Sequence, residues 1–150
     1  MAARLVVGLG NPGAEYAATR HNVGFRVVER VAEACGASWQ RKFRGVVARV
    51  RLSGQDAWLL KPETFMNRSG QSVQPALAYY GLPADDLLVV CDDLNLPVGK
   101  IRIRRSGSDG GQKGLRNIAE RLGTTDYARL RIGIGAAAEG QDAADYVLSR

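Results

Sequence analysis

The 150-residue chain holds one histidine, His21, and two cysteines, Cys35 and Cys91, with no Cys-x-x-Cys spacing. A zinc site or a disulfide framework therefore has no ligand set to draw on, and both cysteines are read as buried thiols. Long apolar runs are missing as well. Met1-Ala2-Ala3-Arg4-Leu5-Val6-Val7 leads at once into Gly8, without the unbroken apolar core of a secretion signal, and no later stretch is long enough to cross a bilayer. A soluble, cytoplasmic protein is expected. No Gly-x-x-x-x-Gly-Lys-[Ser/Thr], Gly-x-Ser-x-Gly or His-Glu-x-x-His sequence occurs, which removes the usual carriers of nucleoside triphosphate hydrolysis, serine acyl transfer and zinc hydrolysis. Negative charge is also short: 15 acids face 21 lysines and arginines, a net charge of +6. That surplus suits a polyanionic partner, although it also serves solubility alone.

What is there is 45% hydrophobic residues, in a length that suits one domain with a real core. Arg4–Leu9 reads as a buried strand, followed by a turn at Asn11-Pro12-Gly13. Val23, Val27, Val28, Val31, Ala32 and Cys35 recur at helical spacing, with Asn22 as N-cap and Gly36 as the stop. Phe43–Leu52 and Ala57–Leu60 read as a strand pair turned at Ser53-Gly54-Gln55-Asp56. Pro62 keeps Lys61–Asn67 out of regular helix, so a loop is expected there, then a helix from about Gly70 to Tyr80 capped by Ser69. Leu87–Cys91 reads as a central strand with Asp92 and Asp93 at its carboxyl end. A strand at Lys100–Arg104, a helix at Gln112–Leu122 stopped by Gly123, and a strand at Ala128–Ile134 complete the pattern. This alternation predicts a single three-layer α/β/α domain over residues 1–150 with a twisted mixed sheet. In such sheets ligands gather where loops leave the carboxyl ends of strands, and those loops hold Asn11, Asn67 and Asp92.

Histidine titrates nearest neutrality, so His21 is the one ready-made general base, although a lone imidazole also serves structure. Gly8-x-Gly10-x-x-Gly13 matches the dinucleotide fingerprint literally. The match fails in context, because Asn11-Pro12-Gly13 is turn chemistry and Glu29 and Glu33 fall inside the expected helix. Gly107, Gly110 and Gly111 ahead of a helix make either an anion cradle or a plain linker; Arg104, Arg105, Lys113 and Arg116 beside them favour phosphate. Arg49 with Arg51, Arg102 with Arg104, and Arg129 with Arg131 have the i, i+2 spacing that shares one strand face. They build a basic wall or three solvated faces, and the residues alone leave both open.

Five ordered blocks carry a resemblance: Val7-Gly8-Leu9-Gly10-Asn11-Pro12-Gly13, Thr19-Arg20-His21-Asn22-Val23-Gly24, Lys61-Pro62-x-Thr64-Phe65-Met66-Asn67-x-Ser69-Gly70, Asp92-Asp93-Leu94-x-Leu96-Pro97-x-Gly99, and Arg129-Leu130-Arg131-Ile132-Gly133-Ile134-Gly135. Together they resemble the bacterial peptidyl-tRNA hydrolase family along essentially the whole chain. The resemblance implies hydrolysis of the ester between a peptidyl group and the 3′-terminal ribose of tRNA, with no metal and no cofactor; peptidyl-tRNA is the expected partner, no membrane is involved, and a monomer is expected. It implies that His21 activates water and that Asp92 orients the ring. Asn11 and Asn67, with Tyr16, Met66 and Lys113, would fall in the substrate-binding set; Arg102, Arg104 and Arg131 would face tRNA phosphates, with Arg105, Arg129 and Lys113 as further candidates. A non-catalytic RNA-binding relative, such as an intron-splicing factor, is the alternative.

Two departures stand out. Where the family commonly has Gly-Gly-His-Asn-Gly-Leu, this chain has Gly110-Gly111-Gln112-Lys113-Gly114-Leu115, so a lysine stands at the place of an asparagine. Lysine only donates hydrogen bonds, and Gln112 is expected to supply the missing amide from one residue earlier. The chain also stops at Asp145-Tyr146-Val147-Leu148-Ser149-Arg150, where the family usually continues into a terminal helix bordering the substrate groove. That is expected to uncover apolar surface and weaken tRNA binding.

Overall fold

The short apolar runs of the chain meet in a seven-stranded sheet, in a computed structural model that describes residues 3–135. The strands are β1 (Leu5–Gly8), β2 (Gln40–Lys42), β3 (Gly45–Leu52), β4 (Gln55–Pro62), β5 (Leu87–Asp93), β6 (Ile101–Arg104) and β7 (Ala128–Gly133). Their spatial order is β2-β3-β4-β1-β5-β7-β6. β4, β1, β5 and β7 are parallel; β2 and β3 at one edge and β6 at the other run antiparallel to their neighbours. Parallel strands need covered faces. Here α1 (Val23–Ala34) covers one, placing Val28 and Ala32 over Ala48, Val50, Ala57 and Leu59. Helices α2 (Gly70–Tyr80) and α3 (Lys113–Leu122) cover the other, with Val73, Leu77, Leu115 and Ile118 over Leu5, Val7, Leu60 and Val89. Because successive strand residues alternate faces, Leu59 belongs to the first layer and Leu60 to the second. The three-layer α/β/α architecture with a mixed sheet is the one expected.

Several local expectations change. β2 was not anticipated, since Gln40-Arg41-Lys42 has no apolar alternation and pairs with β3 through its backbone. Ser69 is itself helical, and its Oγ donates to the Met66 carbonyl instead of capping. The Gly70 N–H is taken by Asn117 Oδ1 from α3, at 2.7 Å, so the two helices are joined end to side. Asn22 makes no cap bond either, because a 3-10 turn at Arg20–Asn22 runs directly into α1. Cys35 is exposed, against expectation, while Cys91 is buried in the sheet. The expectation drawn from Asp145–Arg150 lies outside the described residues.

Candidate active site

The glycines of the first loop are explained by close packing. A Cβ on Gly8 would lie 2.2 Å from the Gly24 carbonyl oxygen, and one on Gly24 would lie 2.4 Å from the Val90 carbonyl oxygen. The first turn of α1 therefore sits backbone to backbone on the ends of β1 and β5. Gly10 is held free of a Cβ by Phe25 and by Asn22 Oδ1. This contact, not a dinucleotide phosphate, is what the spacing of Gly8 and Gly10 serves, and it lowers His21 onto the carboxyl end of β5.

There His21 Nδ1 meets Asp92 Oδ2 at 2.6 Å, with the ring and the carboxylate 15% and 4% exposed. The other carboxylate oxygen, Oδ1, accepts from Gln112 Nε2 at 3.0 Å. A carboxylate can only accept, so the imidazole donates from Nδ1, and Nε2 is the nitrogen left for a ligand. Gln112 is tied at its far end too: its Oε1 accepts from the Leu115 N–H at 2.9 Å and so caps α3. Its Nε2 also lies 3.3 Å from Met66 Sδ. Met66 in turn donates its backbone N–H to Asn11 Oδ1 at 2.8 Å, and Asn22 clasps the Asn11 backbone with both ends of its amide, at 2.8 and 2.9 Å. Since Asn22 follows His21 in the chain, the contacts close a ring: His21, Asp92, Gln112, Met66, Asn11, Asn22. The pair opens onto a cavity of about 420 Å³ bordered by Leu94, Asn95, Gly110, Gly111, Lys113 and Arg131.

The expected site residues divide. His21 and Asp92 are brought together, and Asn11 stands in the same ring with its Nδ2 unbonded among the described residues. Met66 is buried and contributes backbone and sulfur to the ring. Asn67 is exposed on the 3-10 turn that follows, and half-buried Tyr16 meets Phe65 edge to face at 6.5 Å between ring centres. Lys113 is exposed at the first turn of α3 and lines the cavity. Gln112 does not supply a free amide to that cavity, since both of its polar atoms are engaged. Asn22 and Gln112 are the members that sequence reasoning missed in these roles: Asn22 looked like a helix cap and Gln112 like a free amide for the cavity, and only the fold shows what each amide reaches.

The arginines divide as well. Arg102 and Arg104 stand exposed on edge strand β6, opposite Arg131 and Arg129 in register and so on the same face. Arg129 and Arg131 are 1% and 8% exposed. Arg129 donates to the carbonyls of Gly107, Ser108, Thr125 and Tyr127, and Arg131 donates to the Ser108 carbonyl at 2.8 Å and faces Asp93 at 3.8 Å. They hold the Gly107–Ser108 loop from beneath. Arg49 and Arg51 pair with Asp56 towards the opposite end of the sheet, so the three pairs do not form one wall. Within the loop, a hydrogen bond from the Gly111 N–H and then the Arg116 guanidinium hold the Asp109 carboxyl below its ordinary range. Burial, reinforced by the Asp92 charge, pushes the Cys91 thiol up to about 12. Among the described residues, no group of three or more His, Cys, Asp or Glu side chains is placed to hold a metal ion.

An imidazole braced by a carboxylate at the carboxyl ends of parallel strands, open to a cleft and flanked by exposed arginines, makes this an α/β protein with a hydrolase-type site. A family model described as Peptidyl-tRNA hydrolase matches residues 5–150. The chain belongs to the peptidyl-tRNA hydrolase family. It is 51% identical over 148 residues to the peptidyl-tRNA hydrolase of Halalkalibacterium halodurans, covering 98% of this chain and 80% of that one. Against the peptidyl-tRNA hydrolase of Geobacillus kaustophilus the identity is 49%, with the same coverage. The crystal structure of the peptidyl-tRNA hydrolase from Acinetobacter baumannii superposes with a TM-score of 0.93 at 42% identity, over 98% of this chain and 76% of that one.

Proposed function

We propose that this chain hydrolyses the ester joining a peptidyl group to the 3′-terminal ribose of tRNA, releasing free tRNA and peptide. The observation that carries the reading is the 2.6 Å contact between His21 Nδ1 and Asp92 in an open cleft. With Nδ1 donating to Asp92, His21 Nε2 takes a proton from water as the water oxygen adds to the ester carbonyl. The imidazolium then returns that proton to the departing 3′-oxygen, and Asp92 stabilises the ring while it is charged, without itself being protonated. Asn11 Nδ2 and the Asn67 amide are the groups available to hold substrate beside the base, with Tyr16 and the Met66 backbone shaping the wall. Lys113 replaces an amide by a cation, which supports a role against the developing oxyanion or a substrate phosphate. Arg102 and Arg104 take tRNA phosphates directly, whereas Arg131 acts by holding the loop beside them. No metal or cofactor enters this chemistry. A monomer acting in the cytoplasm is part of the same proposal.

A non-catalytic RNA-binding role would use the basic edge but leave the braced imidazole without a purpose. Multiple-turnover cleavage of peptidyl-tRNA by the wild type, His21→Ala and Lys113→Asn separates the two. Cleavage by wild type, its loss in His21→Ala with tRNA affinity retained, and an altered rate in Lys113→Asn are expected. Equal turnover by wild type and His21→Ala overturns the assignment of the base.

A further inference from the structure

Away from the cleft and the β6 edge, the turn between β2 and β3 forms an open depression of about 670 Å³ lined by Pro12, Arg41, Lys42, Arg44, Gly45 and Glu63. Three cations there face one acid. Arg41 Nη1 pairs with Glu63 at 2.9 Å, Arg44 Nη1 donates to Gln71 Oε1 at 3.1 Å, and Lys42 Nζ lies 3.5 Å from the centre of the Tyr79 ring. The backbone is constrained to match. Phe43 and Arg44 have φ of 56° and 55°, a region that bulky residues occupy only when their surroundings hold them there. The hold is visible: the Phe43 ring packs edge-on against Tyr79 and Tyr80 at 5.5 and 5.6 Å, and the Arg44 carbonyl accepts from the Glu63 N–H at 3.0 Å. The backbone of this cationic tip is organised before any partner arrives, while its arginine heads stay exposed and make only surface contacts.

Its position selects the partner. Gly45 lies in register with Pro62, at the carboxyl end of β4, so the depression opens at the same end of the sheet as His21 and Asp92. The strand order places it on the opposite flank of that pair from Arg102 and Arg104, and Pro12 joins it to the Asn11 loop. A substrate joined at one ester has two arms. With the RNA arm on the β6 flank, the acyl arm leaves across Asn11 and Pro12 towards β2 and β3. We propose that this depression is a docking surface for the peptide arm and that it favours peptides carrying acidic side chains close to the ester. The inference rests on the proposed function, and its failure has a different signature.

The test uses three peptidyl-tRNAs sharing one tRNA, with two aspartates, two serines or two lysines beside the residue that carries the ester. At low ionic strength the wild type is expected to show a KM for the aspartate substrate at least ~3-fold below that for the lysine substrate, with kcat alike, because surface charges act on encounter and are screened by salt. In Arg41→Glu/Arg44→Glu the order inverts, while the serine substrate and free tRNA affinity are unchanged. Should that double variant not fold, Arg41→Gln/Arg44→Gln is expected to level the three substrates. Equal handling of all three peptides by the wild type overturns the proposal. So does a uniform loss for all substrates and for free tRNA, which would give the surface to RNA. Absence of cleavage of any of them would instead refute the hydrolase reading on which it stands.

Discussion

Replacing Gln112 by glutamate separates two jobs that one amide performs. Its Oε1 caps α3 through the Leu115 N–H, and its Nε2 donates to Asp92 Oδ1 at 3.0 Å. A carboxylate keeps the cap and adds an anion at a helix N-terminus, together worth about 1 kcal/mol. It cannot donate. Two carboxylate charges 3.0 Å apart repel by roughly 5.5 kcal/mol at an effective dielectric of 20. Keeping an ordinary glutamate protonated at neutral pH costs less, roughly 3.7 kcal/mol. The pair in Gln112→Glu therefore holds one proton between them, and the carboxyl against His21 orients and stabilises the imidazolium less well. Steady-state cleavage of peptidyl-tRNA at neutral pH is expected to fall by at least ~10-fold, within the roughly 10²–10⁴ that a positioned base supplies. The rate recovers as pH rises and the shared proton leaves, so the whole rate–pH curve moves to higher pH. Gln112→Met removes donor and cap together; its loss is similar at every pH and comes with a lower Tm, from about 1 kcal/mol of capping and about 1.5–3 kcal/mol of hydrogen bonding to a charged group. A Gln112→Glu curve that overlays that of the wild type refutes the reasoning.

The two classes of arginine should respond differently. Arg102→Ala or Arg104→Ala is expected to weaken tRNA binding and flatten its salt dependence by about one unit of slope each, with Tm unchanged; Arg129→Ala, which strips the donor from four carbonyls, is expected to cost about 3 kcal/mol or more in urea denaturation. In the native protein a thiol alkylating reagent at mildly alkaline pH should label Cys35 alone, because Cys91 is buried with its thiol raised to about 12; mass spectrometry finding Cys91 labelled at the same rate would contradict that placement. Asp109 is held below the ordinary 3.8, so its contribution to the Gly110–Gly111 turn is complete above that value and lost as pH falls through its lower native one; the protection of the Gly111 amide, measured against its intrinsic exchange rate, should fall on acidification in the wild type and be missing at every pH in Asp109→Ala, which has no acceptor there.

What was legible in the chain follows from which patterns depend on burial alone. Leu87–Cys91 is apolar because it is covered on both faces, and the Val23–Ala32 stripe because one face of α1 meets the sheet, so both elements could be read locally. β2 could not, since an edge strand of Gln40, Arg41 and Lys42 is held by backbone bonds to which side-chain pattern is blind. His21 and Asp92 each stood out, one as the sole imidazole and the other as an acid ending a strand, but 71 residues separate them and only the resemblance joined them before the fold did. The arginine pairs show the limit most sharply. An i, i+2 spacing predicts a shared face, and Arg129 and Arg131 do share one with Arg102 and Arg104. It carries no information on cover, and the Gly107–Ser108 loop buries the two on β7 while leaving the two on β6 in solvent.

The ring through His21, Asp92, Gln112, Met66, Asn11 and Asn22 ties together segments that lie far apart along the chain. Each link is a polar group whose other end is committed to a secondary-structure element: Asp92 to β5, Gln112 to the cap of α3, Met66 to the 3-10 turn ahead of α2, and Asn22 to the start of α1. Close packing reinforces the links, since a Cβ on Gly114 would lie 2.6 Å from Leu9 Cδ1 and 2.8 Å from Met66 Sδ. A side chain in such a ring has little freedom to relax independently, because moving it shifts a helix end as well as a hydrogen bond. Positions facing the cavity without closing the ring are under no such tie. Lys113 is one of them, exposed at the rim beside a fully engaged Gln112. Substitution at 113 therefore changes what the cleft offers a substrate, whereas substitution at 112 changes how the cleft is held.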